Sequence, residues 1–242
     1  MCYKEDDSMT LYQKFASHYD DIFPLNEETI RFLVERFKRG KTLDLGCATG
    51  EYSLALSRKG YEVLGVDIDP QMIEMSLQKN KKLSLLARFL QGNCLDIVYK
   101  NQFLNILCIG NTLVHLHSQD EIKQSLTHIY ESLKENGKFV LQIINYDRIL
   151  DQEVKSLPTI KNNGISFVRK YSYDGENIHF LTTLKLKGED IENETILFPI
   201  RSSKLIDLLQ EVGFKELEVL DGFTDNPFNA KASYSLVICA NK

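Results

Sequence analysis

Lys41 to Asp67, reading KTLDLGCATGEYSLALSRKGYEVLGVD, limits the fold more than any other stretch of the chain. Thr42 to Leu45 is a short apolar-rich run stopped by a glycine, the pattern of a buried strand. Gly50 to Arg58 reads as a helix, and Glu62 to Asp67 as a second buried strand. Together they make a βαβ unit, whose right-handed crossover leaves the two strands as parallel neighbours. Gly46 and Gly50 bracket the turn, where missing side chains let a ligand approach the backbone. Asp67 closes the second strand 21 residues beyond Gly46, a placement that suits a carboxylate gripping two ribose hydroxyls.

A nicotinamide dinucleotide is the obvious rival occupant, and the residues argue against it. The pattern G-x-G-x-x-G asks for glycine at 46, 48 and 51, where the chain has Gly46, Ala48 and Glu51. Glu51 sets a carboxylate in the first helical turn, where a pyrophosphate would otherwise meet the N-terminal amides. A cationic, phosphate-free nucleoside has no such conflict. Asp44, Gly46 and Gly50 match D/E-x-G-x-x-x-G residue for residue, and here the sequence resembles the class I S-adenosylmethionine-dependent methyltransferases. Another nucleotide-binding α/β domain, or a purely structural glycine turn, are the competing readings.

The remaining chain carries the same alternation. Leu11, Phe15, Tyr19 and Phe23 recur every fourth residue, a helical stripe ended by Pro24, and a second helix runs from Asn26 to Lys38. Asp69-Pro70 opens a helix that runs to Asn80, with proline in the first turn where its missing amide hydrogen costs nothing. Ile68 then lies beside the ribose carboxylate, and Met72 is either core or ligand wall. Arg88 to Gln91 is a short strand ending in Gly92-Asn93-Cys94-Leu95-Asp96. Phe103 to Ile109 is a continuous apolar strand, as expected of a central parallel strand covered on both faces. It runs into Gly110-Asn111-Thr112-Leu113-Val114-His115, at the carboxyl end where doubly wound sheets bind ligands. Ser118 caps a helix reaching Lys134, and Lys138 to Asn145 is the next buried strand, followed by Tyr146-Asp147.

From about 155 to 200 the chain turns β-rich, with Asp174-Gly175 and Lys187-Gly188 as turns. Three antiparallel strands are expected there, with Arg169, Tyr171, His179 and Arg201 as the candidate inward polar groups. A helix from Arg201 to Gly213 and strands at Lys215 to Leu220 and Ser233 to Ala240 close the chain. The fold expected is α/β: a Rossmann-like, doubly wound, seven-stranded sheet with its last strand antiparallel and an antiparallel β insert after the fifth strand. Residues 1 to 242 are read as a single domain, with a helical cap at 10 to 38 and the insert as a lid.

The resemblance implies roles for these positions. The Gly46 to Gly50 turn, with Asp44, Cys47 and Ala48, would hold the methionine portion of S-adenosyl-L-methionine. Asp67 would orient the ribose, Ile68 would lie over the adenine, and Asn93 with Cys94 and Leu95 would bond its edge. Tyr19, Met72 and Gly110 complete the proposed cofactor contacts. GNTLVHL and NYDRIL are similar to strings of the glycine N-methyltransferases, G-N-S-x-x-H-L and N-Y-D-x-I-L. That likeness spans roughly residues 12 to 150 and includes Asn111, His115, Asn145 and Tyr146. The strand-end position places Asn111 and His115, with Tyr146, at the reacting centre and Asn145 toward the acceptor. In many small-molecule methyltransferases an insert like the one here roofs the site, which implies Arg169, Tyr171 and Arg201 toward the acceptor as well. One departure is plain: those relatives bind the substrate carboxylate with an arginine just before Asn-Tyr-Asp, and this chain has Ile144. Burying a carboxylate without that cation is costly.

Composition narrows the class further. The net charge of -5 argues against a nucleic-acid partner, as does the lack of an N/D-P-P-Y/F string after the fourth strand. No run approaches a membrane span or a signal peptide, so a cytoplasmic monomer or homodimer is expected. Five cysteines without C-x-x-C spacing read as free thiols, and no histidine spacing suggests a metal. The expected activity is in-line transfer of a sulfonium methyl to a small-molecule nitrogen or oxygen acceptor. A non-catalytic S-adenosylmethionine-binding module and an RNA or protein methyltransferase are the alternatives.

Overall fold

The computed structural model describes residues 15–242. The expected βαβ unit forms as β1 (Lys41–Leu45), α3 (Glu51–Arg58) and β2 (Glu62–Asp67), paired in parallel from Lys41 against Glu62 to Leu45 against Val66. Around it lie α1 (Tyr19–Ile22), α2 (Glu27–Arg36), α4 (Pro70–Leu83), β3 (Arg88–Gln91), β4 (Phe103–Cys108), α5 (Gln119–Ser132) and β5 (Leu133–Ile144). The chain continues through α6 (Tyr146–Asp151) and strands β6 (Ser156–Asn162), β7 (Ile165–Tyr173), β8 (Ile178–Leu186) and β9 (Glu189–Leu197). It ends with α7 (Ser202–Val212), β10 (Lys215–Asp221) and β11 (Ser235–Asn241).

The main sheet has seven strands in the order β10-β11-β5-β4-β1-β2-β3. Strand β11 runs antiparallel to both β10 and β5, while β5, β4, β1, β2 and β3 are mutually parallel. The order reverses between β1 and β4. A crevice therefore opens at their carboxyl ends, where the loops after them diverge to opposite sides. Leu43, Leu45, Ile106 and Leu107 on these central strands are buried to within 1%. Each such side chain contributes about 1.5–3 kcal/mol relative to exposure, which makes the strand ends a rigid base for a site.

The helices form where their local signals place them. Asn26 caps α2 by accepting from the Glu28 and Thr29 amides, and Asp69 caps α4 ahead of Pro70. Ser118 caps α5 through the Glu121 amide. That helix stops at Ser132, earlier than Lys134, because Leu133 already turns extended and pairs with Phe103. Helix α4 reaches Leu83 rather than Asn80, ending on Ser84 in a left-handed conformation. Of the expected first helix, residues 11 to 14 lie outside the described residues.

The insert has four antiparallel strands, β6-β7-β8-β9, rather than three. The additional strand, SLPTIKN, contains Pro158 and mixed polarity, which disguise it in the sequence. Its edge position tolerates both. One face of this small sheet packs Ile165, Phe167, Leu184 and Ile191 against Ile22, forming its own apolar cluster. Phe15 and Phe23 lie against the Phe167 ring, with centroids 5.7 Å apart in each case. The insert is also tied to the core by Phe198, whose amide donates to the Val114 carbonyl at 2.8 Å.

Candidate active site

The glycine turn after β1 is set by backbone geometry. Gly46 has φ of 74°, and the Cβ it lacks would sit 2.3 Å from Thr112 Oγ1. Its amide and that of Cys47 donate to the Val66 carbonyl. Gly50 also has positive φ (82°), and a Cβ there would meet Phe89 at 2.8 Å. These glycines are demanded by packing as well as by access for a ligand.

Asp67 is fixed by the same turn. Its Oδ2 accepts from the Ala48 amide at 2.8 Å and its Oδ1 from the Asp69 amide at 2.9 Å. The carboxylate's outer edge remains for a vicinal diol. Burial pushes its pKa up, opposed by those amide bonds. Beside it Ile68 is 64% exposed, an apolar side chain offered to solvent at the edge of the site. Asp44, at the heart of β1, is 2% exposed and accepts from Ser53 Oγ at 2.6 Å. Burial pushes its carboxyl up to about 7, partly offset by Ser53 and reinforced by the charge of Asp67.

A cavity of about 560 Å³ joins this turn to the end of β4 and to the insert. Asp44, Gly46, Cys47, Ala48 and Tyr19 form one wall. Gly110, Asn111, His115 and Gln142 form the next, and Arg169, Tyr171, Phe180, Thr182 and Asn193 form the roof. Asn111 has φ of 70°, and its Oδ1 accepts from the Ile144 amide while its Nδ2 donates to Tyr146 Oη at 2.9 Å. His115 ends the 3-10 turn Thr112–His115 at the exposed rim of the cavity, and the partial desolvation there, with the neighbouring His117, lowers its pKa. Its imidazole is therefore neutral near pH 7 and able to accept a proton.

The N-terminal segment is pinned over the turn. Asp20 receives the Thr49 hydroxyl and pairs with Lys79, which also reaches Glu51 at 2.8 Å. Asp21 holds the insert, its carbonyl accepting from Asn162 and its carboxylate from Asn163. Tyr19 is thereby held at the cavity, its phenol pushed up by burial and by Asp67. The carboxylate of Glu51 is compensated by Lys79, so its repulsion of a pyrophosphate is weaker than the sequence alone implies.

Other expected residues stand apart from the cavity. Asn145 is buried and fully engaged. Its Nδ2 donates to the carbonyls of Ala230 and Ser233, and its Oδ1 caps α6 through the Arg148 amide. It shapes the loop that carries Tyr234 rather than facing an acceptor. Tyr146 is 1% exposed and acts behind Asn111. Met72 is core. Asn93 Oδ1 accepts from the Leu95 amide at 3.0 Å, closing the turn that contains Cys94. Asn93 and Leu95 lie with Asp67 and Ile68 outside the enclosed cavity, on the open side of the site. Arg201 does not point inward as expected: it pairs with Asp151 at 2.9 Å on the outer surface. His179 likewise turns out, between Glu194 and Asp174.

Sequence reasoning missed Gln142, Thr182 and Asn193. Gln142 Oε1 accepts from the Gly110 amide at 2.8 Å, holding the loop after β4 in place. Its signal was a lone amide within the apolar run KFVLQII. The two insert residues carried none, because their side depends on register.

The fit to the cofactor rests on the donor set. The buried Asp44, the half-buried Asp67, a glycine turn with no cationic phosphate grip, and an exposed apolar side chain beside Asp67 suit a cationic nucleoside. Residues 42–137 match the model of the methyltransferase domain family. Over 220 residues the chain is 26% identical to a glycine/sarcosine N-methyltransferase of Halorhodospira halochloris, spanning 86% of this chain and 80% of that protein. An S-adenosylmethionine-dependent methyltransferase from Clostridium acetobutylicum superposes with a TM-score of 0.82 at 17% identity, covering 95% and 98% of the two chains. An S-adenosylmethionine-bound amino pentose methyltransferase from Micromonospora echinaspora gives 0.68 at 15% identity, covering 99% and 100%. Residues 42–137 thus carry a methyltransferase domain, on a fold shared with S-adenosylmethionine-dependent methyltransferases and with partial likeness in sequence to the glycine/sarcosine N-methyltransferases.

Proposed function

We propose that the protein methylates a small-molecule nitrogen or oxygen nucleophile held in the roofed cavity. The observation that carries this reading is the enclosure itself. One cavity of about 560 Å³ is bordered by the glycine turn, by Asn111 and His115, and by the insert. A volume of that order suits a small ligand rather than a polymer. The cofactor, when bound, supplies an already activated methyl group, so the protein's work is alignment and exclusion of water.

Each wall has a distinct task. Asp67 orients the ribose through the outer edge of its carboxylate, and the Gly46 to Gly50 turn receives the methionine portion beside Asp44. Asn111, locked by Ile144 and Tyr146, presents its amide to the acceptor side. His115 takes the proton from an oxygen acceptor, and its lowered pKa keeps it in the accepting form. An amine bound in its neutral form needs less of this help. The likeness to glycine/sarcosine and amino pentose methyltransferases supports a small acceptor of this kind.

Methyl-labelled S-adenosylmethionine incubated with panels of small amines and hydroxy compounds tests the reading. Label should move to a small molecule, and His115→Ala should slow oxygen acceptors by about 100-fold while amines lose less. Label found only in RNA or protein would contradict it.

A further inference from the structure

The family's arginine before Asn-Tyr-Asp is Ile144 here, and Ile144 borders the cavity as an apolar wall. A different cation has been brought to the same enclosure. Arg169 lies on β7, opposite Leu157 on β6 and Thr182 on β8, and Thr182 lies opposite Asn193 on β9. The pairing draws a guanidinium, a hydroxyl and a side-chain amide into one row across the roof.

Arg169 is only 9% exposed, yet it is poorly satisfied. Its Nη2 donates to the Pro158 carbonyl at 2.6 Å, and its Nε has no partner among the described residues. Among the described residues no carboxylate forms an ion pair with it. A buried cation with an unmatched donor and no opposite charge is costly unless something else completes its shell. Arg36, at a largely covered site, pairs with Asp225 and Glu218, and Arg148 lies over the Tyr234 ring, whereas Arg169 has neither kind of partner among the described residues. Around Arg169 the walls are Tyr171, Phe180 and Phe167, which exclude water and strengthen any charge pairing made there.

We propose that Arg169, with Thr182 and Asn193, forms an anion subsite that binds a carboxylate of the methyl acceptor. The planar guanidinium matches a carboxylate's two oxygens. Asn193 Nδ2 gives one hydrogen to Thr195 Oγ1 at 3.2 Å and has a second to offer, while the Thr182 hydroxyl, now donating to the Asn193 carbonyl at 3.3 Å, would turn from that long bond to the ligand. The acceptor is then an acid whose carboxylate anchors in the roof and whose nucleophilic atom reaches toward Asn111 and His115. The cation that Ile144 removed from the floor is replaced from the insert. This inference rests on the proposed function, because it assigns the acceptor end of the same cavity.

The test uses the full chain saturated with S-adenosylhomocysteine and titrated calorimetrically with two matched pairs, benzoate against benzamide and glycine against glycinamide. At least one carboxylate should bind about tenfold or more tightly than its amide. In Arg169→Gln the preference should fall to within about threefold, while Arg169→Lys keeps part of it. S-adenosylhomocysteine affinity should stay within about twofold in both variants, which also reports that they fold. Equal affinity for the members of both pairs in the wild type, no carboxylate binding up to about 10 mM, or a preference that survives Arg169→Gln would each overturn the subsite. Failure of S-adenosylhomocysteine to bind the wild type would instead strike the proposed function, and the subsite with it.

Discussion

The two halves of the cavity are built by different means. On the cofactor side, position is set by the backbone: Gly46, Ala48 and Gly50 lie in left-handed conformations, and the Ala48 and Asp69 amides clamp Asp67. On the acceptor side, position is set by side chains of paired strands, with Arg169, Thr182 and Asn193 brought together from 169, 182 and 193. The first arrangement is local and tolerates few substitutions. The second can change its chemistry by single replacements without disturbing the sheet. A shared methyl donor with varied acceptors would use such a division of labour.

The sharpest way to break this comparison is at Asp67. Asp67→Ala would remove the carboxylate proposed to grip the ribose, and leaves the Ala48 and Asp69 amides unmatched. S-adenosylhomocysteine affinity should fall by about 100-fold or more in calorimetry. Retained wild-type affinity would break the ribose assignment. The acceptor-side variant Arg169→Gln should scarcely move that same affinity.

Glycine replacements sharpen it next, through stability. Gly46→Ala forces a Cβ against Thr112 at 2.3 Å at positive φ, and should cost about 2–4 kcal/mol in urea unfolding. Gly110 has a similar φ of 78° with nothing within 4 Å of its missing Cβ. Gly110→Ala should cost only about 1–2 kcal/mol, the conformational part alone. Equal costs would mean that the close approach of Thr112 contributes nothing.

A smaller effect is expected with pH. The Asp44 carboxyl is raised to about 7 in the fold, whereas an unfolded aspartate titrates near ~4. The folded state thus holds more protons across that window. Stability from this group is fully present below about pH 4 and is lost as pH rises through about 7. Asp67 is displaced in the same direction and adds to the slope. A cationic ligand beside Asp44 favours its charged form, so S-adenosylmethionine should bind more tightly from about pH 5.5 to 7.5 and release protons in doing so. Calorimetry in two buffers of different ionisation enthalpy measures that release, and Asp44→Asn should diminish it.

Much of the cofactor side was legible because its signals are consecutive. The strand, the spaced glycines of DLGCATG and a terminal aspartate prescribe one local geometry, and the structure forms it. The apolar run at 103 to 108 likewise marked a central strand. The insert hid more. In IHFLTTLKL both alternating faces contain apolar residues, so a one-residue change of register exchanges His179 for Phe180 and Thr182. The pairing of Arg169 with Thr182 settles it, and His179 faces outward. Arg201 fails for a related reason: it precedes α7, where Asp147 and Asp151 of α6 are within reach. Asn145 looked like a ligand because it ends a buried strand, but three carbonyls of the 229–233 loop claim its amide.

Calorimetric titration of the wild-type protein with S-adenosylmethionine, S-adenosylhomocysteine and NAD tests most directly whether this turn is built for a cationic nucleoside. Micromolar-range binding of the two sulfur nucleosides with none of NAD is the result this account predicts. Binding of NAD alone would contradict it, because the compensated Glu51 and the Asp44–Asp67 pair would then be accommodating a pyrophosphate.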